Sequence, residues 1–306
     1  MPSEITFSQF GGPEVLQWTP DAEMPEPLPS QIVIVVLAAS ASSFDAHLRH
    51  GDLMDSIVTF LPSGAGFEAA GIVIARGSAV RDVEVGDEVF GFTDTGAYAQ
   101  FAALTTYARK PEGMSWPIAA SISSATTTAY RVLDELGLTS GQTLVITGGA
   151  GAVGSFAVQI AVSRGIRVIA TVSAADEAYV RTLGAQTARY GDGCSDRIRV
   201  LSPRGVDAAF DTAGVRVLSE LVTLTGSPKR VITIADPTAA TYGVRLSNSH
   251  AQSRSKQLLR DVAELVTAGD LEVRIARTYR MSDAAQAHRE LEAGQVHGRV
   301  VLMNGT

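Results

Sequence analysis

Three glycines, Gly149, Gly151 and Gly154, stand in the spacing G-x-G-x-x-G directly after the strand candidate Thr143 to Thr147 and at the opening of a helix candidate. Glycine at these points permits a tight turn, a close approach of backbone to a bound group and close packing of helix on strand. The first N–H groups of the following helix have no partner inside it, and the helix dipole makes that end positive. Such an end suits a pyrophosphate, and Gly151, Ala152 and Val153 are the residues expected to hold it. A second strand candidate, Arg167 to Val172, follows about 20 residues on, the interval a dinucleotide site requires.

The end of that second strand selects the dinucleotide. NAD sites place a carboxylate there for the ribose 2′-hydroxyl, whereas a 2′-phosphate needs small or cationic residues. This strand ends Thr171-Val172-Ser173, so Ser173 favours NADP(H), with Asp176 opposing a phosphate unless its side chain turns away or is paired. Tyr190, Arg181 and Arg189 offer an aromatic face and positive charge to the same pocket, or stand as exposed helix and loop residues.

The elements that must position these groups follow from periodicity. Strand candidates Thr143 to Thr147, Arg167 to Val172, Ala208 to Asp211 and Arg230 to Ile234 alternate with helical segments, among them one with Val153, Phe156, Ala157, Ile160 and Ala161 on a single face. This alternation predicts right-handed crossovers and a doubly wound parallel sheet covered by helices on both faces. The first 110 residues instead read as short strands broken by Gly, Pro and Asp, the clearest being Ile32 to Leu37, Ala70 to Ala75 and Glu88 to Phe92. Pro25 to Pro29 is a stiff surface connection, and a change of texture at Ser115 marks a domain boundary. Helices at Lys256 to Ala268 and Asp283 to Ala293 and a strand at Arg299 to Met303 close the chain.

Composition bounds what such a fold is for. At roughly 100 to 200 residues per domain, 306 residues predict two domains or one large one, and 45% hydrophobic with 19% charged residues gives ordinary buried cores. A net charge of −7 leaves no basic field for nucleic acid or an anionic membrane, so the expected partner is a small molecule. With Cys194 as the only cysteine, no intrachain disulfide or Cys-rich zinc lobe is possible. Met1 to Trp18 lacks a signal-peptide pattern, and the longest apolar run, Ile32 to Ala39, falls far short of the roughly 20 residues of a membrane span. A cytoplasmic protein is expected.

Several motifs in order carry a resemblance. These are Phe10 to Leu16 (FGGPEVL), Val85 to Phe92 (VGDEVFGF) followed by Gly96-Ala97-Tyr98-Ala99, Ala119 through Tyr130, Gly205 to Gly214 (GVDAAFDTAG), and Ser282 to His288 with His297 to Leu302. Nearly end to end, the chain resembles the medium-chain dehydrogenase/reductase superfamily, and within it the zinc-independent quinone oxidoreductase group. The resemblance implies a GroES-like β-rich substrate domain, residues 1–114 and 247–306, wrapped around a Rossmann NADP(H)-binding domain, residues 115–246, with the chemistry in the cleft between them.

In zinc enzymes of that superfamily a Cys ahead of an Asp and the His of a GHE motif hold the metal. The matching residues here are Ser42, ahead of Asp45, and Phe67, and a hydroxyl and a phenyl ring cannot replace a thiolate and an imidazole. His47 and His50 share a helix face but lack an evident third ligand, so no metal is expected. Asp45 and Arg49 are expected to form an ion pair that organises their loop. Ser42, Ser123, Thr126 and Leu53 depart from the group's usual Asn, Pro, Gly and aromatic, which leaves the substrate open to conjugated carbonyls other than quinones.

The implied activity is NADPH-dependent, zinc-independent hydride transfer to a quinone or α,β-unsaturated carbonyl. Ser42, Thr128 and Tyr130 are the candidates for a direct catalytic role. Gly149, Gly151, Ala152, Val153, Gly154, Thr128, Ser173 and Tyr190 are expected at the cofactor, with Ala213 and Ala235 near the nicotinamide ribose by resemblance. An enoyl reductase or tailoring enzyme of a secondary-metabolite pathway, or an NADPH-binding sensor without turnover, are the alternative readings. Sheets of two subunits commonly join edge to edge in this group, and the alternation of Thr241 to Leu246 predicts an edge strand and a homodimer.

Overall fold

The computed structural model describes residues 2–52, 57–214, 216–247 and 255–305. Its elements run β1 (Ser3–Phe7), β2 (Gln17–Pro20), β3 (Ile32–Ala41), α1 (Ser43–His50), β4 (Ser63–Gly64), β5 (Glu68–Arg76), β6 (Glu88–Phe92), β7 (Phe101–Leu104), β8 (Thr106–Arg109), α2 (Trp116–Ala119) and α3 (Ser123–Leu136). They continue with β9 (Thr143–Thr147), α4 (Ala152–Ser163), β10 (Arg167–Val172), α5 (Glu177–Thr182), β11 (Gln186–Arg189), α6 (Cys194–Leu201), β12 (Ala208–Asp211), α7 (Leu218–Thr225), β13 (Val231–Thr233), β14 (Arg245–Leu246), α8 (Lys256–Ala268), β15 (Ile275–Arg280), α9 (Ala284–Glu292) and β16 (Arg299–Met303). They form two compact units, Met1–Ser124 with Arg254–Thr306, and Ala125–Ser253. Among the described residues no helix is long and apolar enough to cross a membrane.

The spine of the first unit is β3, an unbroken run of apolar and small residues that reads as a strand covered on both faces. One edge pairs with β5; the other takes β7 along Ile32 to Val35 and β16 along Ala38 to Ala41. The chain's last strand therefore completes a sheet begun near its start, in the order β15-β16-β3-β5-β6-β8. Ile32, Ile34, Val36, Val73, Val89, Val300 and Leu302 lie in its core.

Two charged networks are buried in this unit. Arg299, at the start of β16, donates to Ser40 Oγ on β3 at 2.8 Å and to Glu68 Oε1 at the start of β5. Arg299 and Glu68 are 4% and 2% exposed. In the second network Arg49 donates to Gly11 O (3.0 Å), to His288 Nδ1 (3.1 Å) and to Glu292 Oε1. Arginine only donates, so His288 Nδ1 accepts and its Nε2–H donates to Tyr98 Oη at 3.0 Å. Burial, then the Arg49 charge, pulls His288 down to about 3, and its ring is neutral. The expected Asp45–Arg49 pair is replaced by Arg49–Glu292, because the Asp45 carboxyl turns back to the start of α1 and binds Ser42.

The second unit holds the doubly wound sheet that the strand and helix alternation predicts, six parallel strands in the order β11-β10-β9-β12-β13-β14. Its edge is shorter than expected. Thr241 and Tyr242 belong to a 3-10 turn, Ala239–Tyr242, ended by Gly243 at φ +65°, and only Arg245–Leu246 pairs as a strand. The Asp236 carboxylate accepts the Thr238 N–H and hydroxyl and starts that turn, a local bond that outcompetes the extended pattern.

A buried ion pair that loses one partner leaves an uncompensated charge. Glu68→Gln and Arg299→Met should each lower the unfolding free energy by about 3–5 kcal/mol. Both together should cost less than the sum, and urea unfolding that finds the two effects additive would contradict the coupling.

Candidate functional site

In the second unit the glycine loop is built from β9 and held against β10. Gly148, at φ +66°, donates to Thr171 Oγ at 3.3 Å, and Gly149 donates to the Thr171 carbonyl at 3.0 Å. Gly151 caps α4. A Cβ on Gly154 would stand 2.2 Å from the Gly148 carbonyl, and one on Gly149 2.6 Å from Ala170 Cβ. The loop is thus packed too closely for side chains; the Gly151 N–H donates to the Gly148 carbonyl at 2.9 Å, and the half-buried Ala152 and Val153 open the helix with their N–H groups free of intrahelical partners. This backbone fits the pyrophosphate of a dinucleotide.

The floor beside the loop depends on Asp211, a residue for which the sequence reading assigns no role. Its Oδ1 accepts from Thr147 Oγ (2.5 Å) and from the N–H groups of Ala213 and Gly214 (3.2 Å each), and its Oδ2 accepts from Thr233 Oγ at 2.6 Å. Thr233 Oγ in turn accepts the Ala235 and Asp236 N–H groups. One carboxylate therefore ties together the C-terminal ends of β9, β12 and β13. Ala213 and Ala235 are brought side by side: a Cβ on Gly214 would meet the Ala235 carbonyl at 2.5 Å, and one on Gly148 would lie 3.3 Å from Ala213 Cβ. Parallel sheets bind ligands at this edge. The available signal was an acidic residue closing a strand, with threonines closing its two neighbours.

At the end of β10, Ser173 Oγ donates to Asp176 Oδ2 at 2.8 Å, and Asp176 is buried. Its carboxylate is thus turned inward and engaged. Arg189 pairs with Glu177 at 2.9 Å and Arg181 with the same carboxylate at 3.5 Å, while Tyr190 is exposed. Thr128 is buried in α3. Tyr130 has its ring 5.4 Å from the guanidinium of Arg164, which caps the end of α4 opposite the glycine loop.

In the first unit Ser42 is the N-cap of α1. Phe67 packs on Phe44 at 4.8 Å and on Phe92 at 5.5 Å between centroids, an apolar wall with no lone pair for a metal. His47 bonds Asp52 at 2.8 Å and His50 bonds Glu292 at 3.1 Å. Among the described residues no group of three His, Cys, Asp or Glu side chains could hold a metal ion. Leu53 lies outside the described residues.

Comparison with known proteins matches residues 28–120 to the alcohol dehydrogenase GroES-like domain and residues 183–302 to a family described as zinc-binding dehydrogenase. The quinone oxidoreductase of Pseudomonas aeruginosa is 28% identical over 99% of this chain and 100% of its own length. An NADPH-dependent alkenal/one oxidoreductase of Arabidopsis thaliana is 33% identical over 72% of this chain and 62% of its own. A mycobacterial protein solved in complex with NADPH superposes with a TM-score of 0.85 at 27% identity, covering 99% of this chain and 100% of that one. With GroES-like and Rossmann units in place, and with Ser42 and Phe67 where zinc ligands would stand, the chain belongs to the medium-chain dehydrogenase/reductase superfamily, in its zinc-independent, quinone-oxidoreductase-like group.

Proposed function

We propose that this chain is an NADPH-dependent, metal-free reductase that delivers hydride to a quinone or an α,β-unsaturated carbonyl. The observation behind it is the glycine loop, with Ala213 and Ala235 beside it and the small hydroxyl of Ser173, in place of a free carboxylate, at the end of β10. Bound NADPH supplies two electrons as hydride from the nicotinamide. The chain's own work is to grip the pyrophosphate through Gly151, Ala152 and Val153, to hold Ala213 and Ala235 in place through Asp211, and to meet negative charge developing on the substrate oxygen. Ser42, the half-buried N-cap of α1, is the candidate donor for that oxygen. A screen of quinones, enones and enoyl thioesters with NADPH and NADH tests the activity. NADPH binding without oxidation of the cofactor by any of them would favour a sensor instead.

Asp176 is buried with its carboxylate held by Ser173, which turns that charge inward from the end of β10. NADPH should bind more tightly than NADH by at least about tenfold, or 1.4 kcal/mol. Ser173→Asp should reverse the order in a fluorescence titration, and equal affinities in the unmodified chain would count against Ser173 as the selector. Gly154→Val should weaken NADPH by more than about tenfold, because its side chain displaces the Gly148 carbonyl, at a stability cost of roughly 1–3 kcal/mol. Unchanged affinity would remove the glycine loop from the cofactor site.

A twofold partner at β14 is the proposed assembly. β14 is exposed and is the edge strand of the six-stranded sheet among the described residues, and Arg245 is held at 3.3 Å by Glu135. Ser247 donates its N–H inward to Thr233, so by alternation the Leu246 N–H faces away from the sheet. Light scattering should give twice the 32.1 kDa of one chain, falling to one chain in Leu246→Pro. A dimer that survives this substitution has another seam.

A further inference from the structure

Arg189 ends β11 beside the point where β10 gives way to Ser173. The register sets Arg189 opposite Val172, and the Tyr190 N–H donates to the Val172 carbonyl at 3.2 Å. From there the Arg189 guanidinium forks onto the Glu177 carboxylate, Nε to Oε1 at 2.9 Å and Nη2 to Oε2 at 3.5 Å. Arg181, one turn along α5, reaches the same Oε2 at 3.5 Å. Glu177 is thus shared by two arginines whose side chains are each 60% exposed, while its own is 17% exposed. The Arg189 hydrogen bond, with the charges of Arg189 and Arg181, holds Glu177 below the usual carboxylate range, so it is ionised at neutral pH. A third guanidinium, that of Arg197, forks onto the Arg189 carbonyl at 2.7 and 3.0 Å and fixes the end of β11. Ion pairs this open to solvent add little to stability. Their effect is on which anion holds an arginine fork next to the end of β10. Ser173 leaves that end short of a donor, because its hydroxyl is spent on Asp176 at 2.8 Å. It offers a 2′-phosphate room but no hydrogen bond, and dinucleotide sites meet that phosphate with a nearby arginine.

We infer that Glu177 is a built-in competitor for the 2′-phosphate of NADPH: it fills the fork of Arg189 that the phosphate would take, and so sets how strongly the chain prefers NADPH over NADH. The inference rests on the NADPH-dependent reading above. A guanidinium fork matches the oxygens of a carboxylate and of a phosphate alike. NADH brings an uncharged 2′-hydroxyl and leaves the Arg189–Glu177 pair standing. A phosphate monoester carries about −1.5 to −2 charge at neutral pH, more than a carboxylate, and displaces Glu177 from Arg189. Arg181 keeps the Glu177 charge compensated while Arg189 changes partner. The exchange takes from NADPH part of the attraction that a free Arg189 would give it. Arg189 is the phosphate-binding residue, and Glu177 determines specificity by occupying it.

Fluorescence titration with NADPH and NADH of the unmodified chain, Glu177→Gln, Arg189→Gln and the double variant tests this. Glu177→Gln keeps the size of the side chain and removes its charge. It should tighten NADPH by about fivefold or more and move NADH by less than about twofold. Arg189→Gln should loosen NADPH by about tenfold or more, with NADH again within about twofold. In the double variant the gain from Glu177→Gln should vanish, because the fork for which the two anions compete is gone. NADH affinity serves as the control for folding in every variant. Weaker or unchanged NADPH binding in Glu177→Gln overturns the competition. Equal loss of both cofactors in Arg189→Gln gives that arginine a structural role only and overturns it too. A gain that persists in the double variant does the same, since Glu177 would then repel the phosphate without Arg189. In each of these cases the unmodified chain still binds NADPH and the reductase reading stands. An unmodified chain that binds no NADPH overturns the reading and the competition together.

Discussion

The Glu68–Arg299 pair is the contact on which the first unit's architecture turns. It joins the start of β5 to the start of β16, with Ser40 of β3 bonded to the same guanidinium, so three strands from remote parts of the chain share one buried charge cluster. A hydrophobic sheet alone would tolerate a slip in register. The pair does not, because moving β16 by one residue against β3 would strand a guanidinium and a carboxylate in the core. This is how a terminal strand finds its place on an apolar run as featureless as Ile32 to Ala41. Glu68 also accepts the Ser124 N–H at 2.8 Å, so the same carboxylate holds Ser124, where the N-terminal stretch of this unit ends.

Asp211 plays the comparable part in the second unit, with a different balance of terms. Its four acceptor bonds come from neutral donors, and both oxygens are filled, so the charge is met by oriented dipoles rather than by a cation. The consequence is geometric. Loops that must present bare backbone to a ligand cannot be held by their own side chains, and Ala213, Gly214 and Ala235 have none of use. The holding groups therefore sit one layer below, in Thr147, Thr233 and Asp211, which place the loops without occupying the ligand's space. Gly148 and Gly149 are fixed in the same manner by Thr171.

How far this was legible in the amino-acid sequence follows from the range of the interactions. The glycine loop, the apolar β3 and the helix Lys256–Ala268 could be read because spacing and periodicity are local properties. The partner of Arg49 could not: Glu292 is 243 residues away, and Asp45, four residues away, was the natural guess. Asp211 escaped for the same reason, its threonine donors lying on two other strands. The 3-10 turn at Ala239–Tyr242 was missed because a single Asp236 carboxylate overrode an alternation that resembled a strand.

The aromatic wall gives the metal-free arrangement its physical logic. A Lewis acid meets developing negative charge with full positive charge; a hydroxyl can meet it only with a dipole, and a dipole is worth most where water and mobile charge are kept away. Phe44, Phe67 and Phe92 supply apolar surface without charge, and Phe44 immediately precedes the buried Asp45. Burial acts on Asp45 as well: it disfavours the carboxylate form and pushes the group up to about 7. His288 shows the opposite sign of the same effect. Burial there strips a base of its proton, and the neutral ring becomes a relay of hydrogen bonds between Arg49 and Tyr98 that joins α1 to α9 without adding a second positive charge beside the guanidinium.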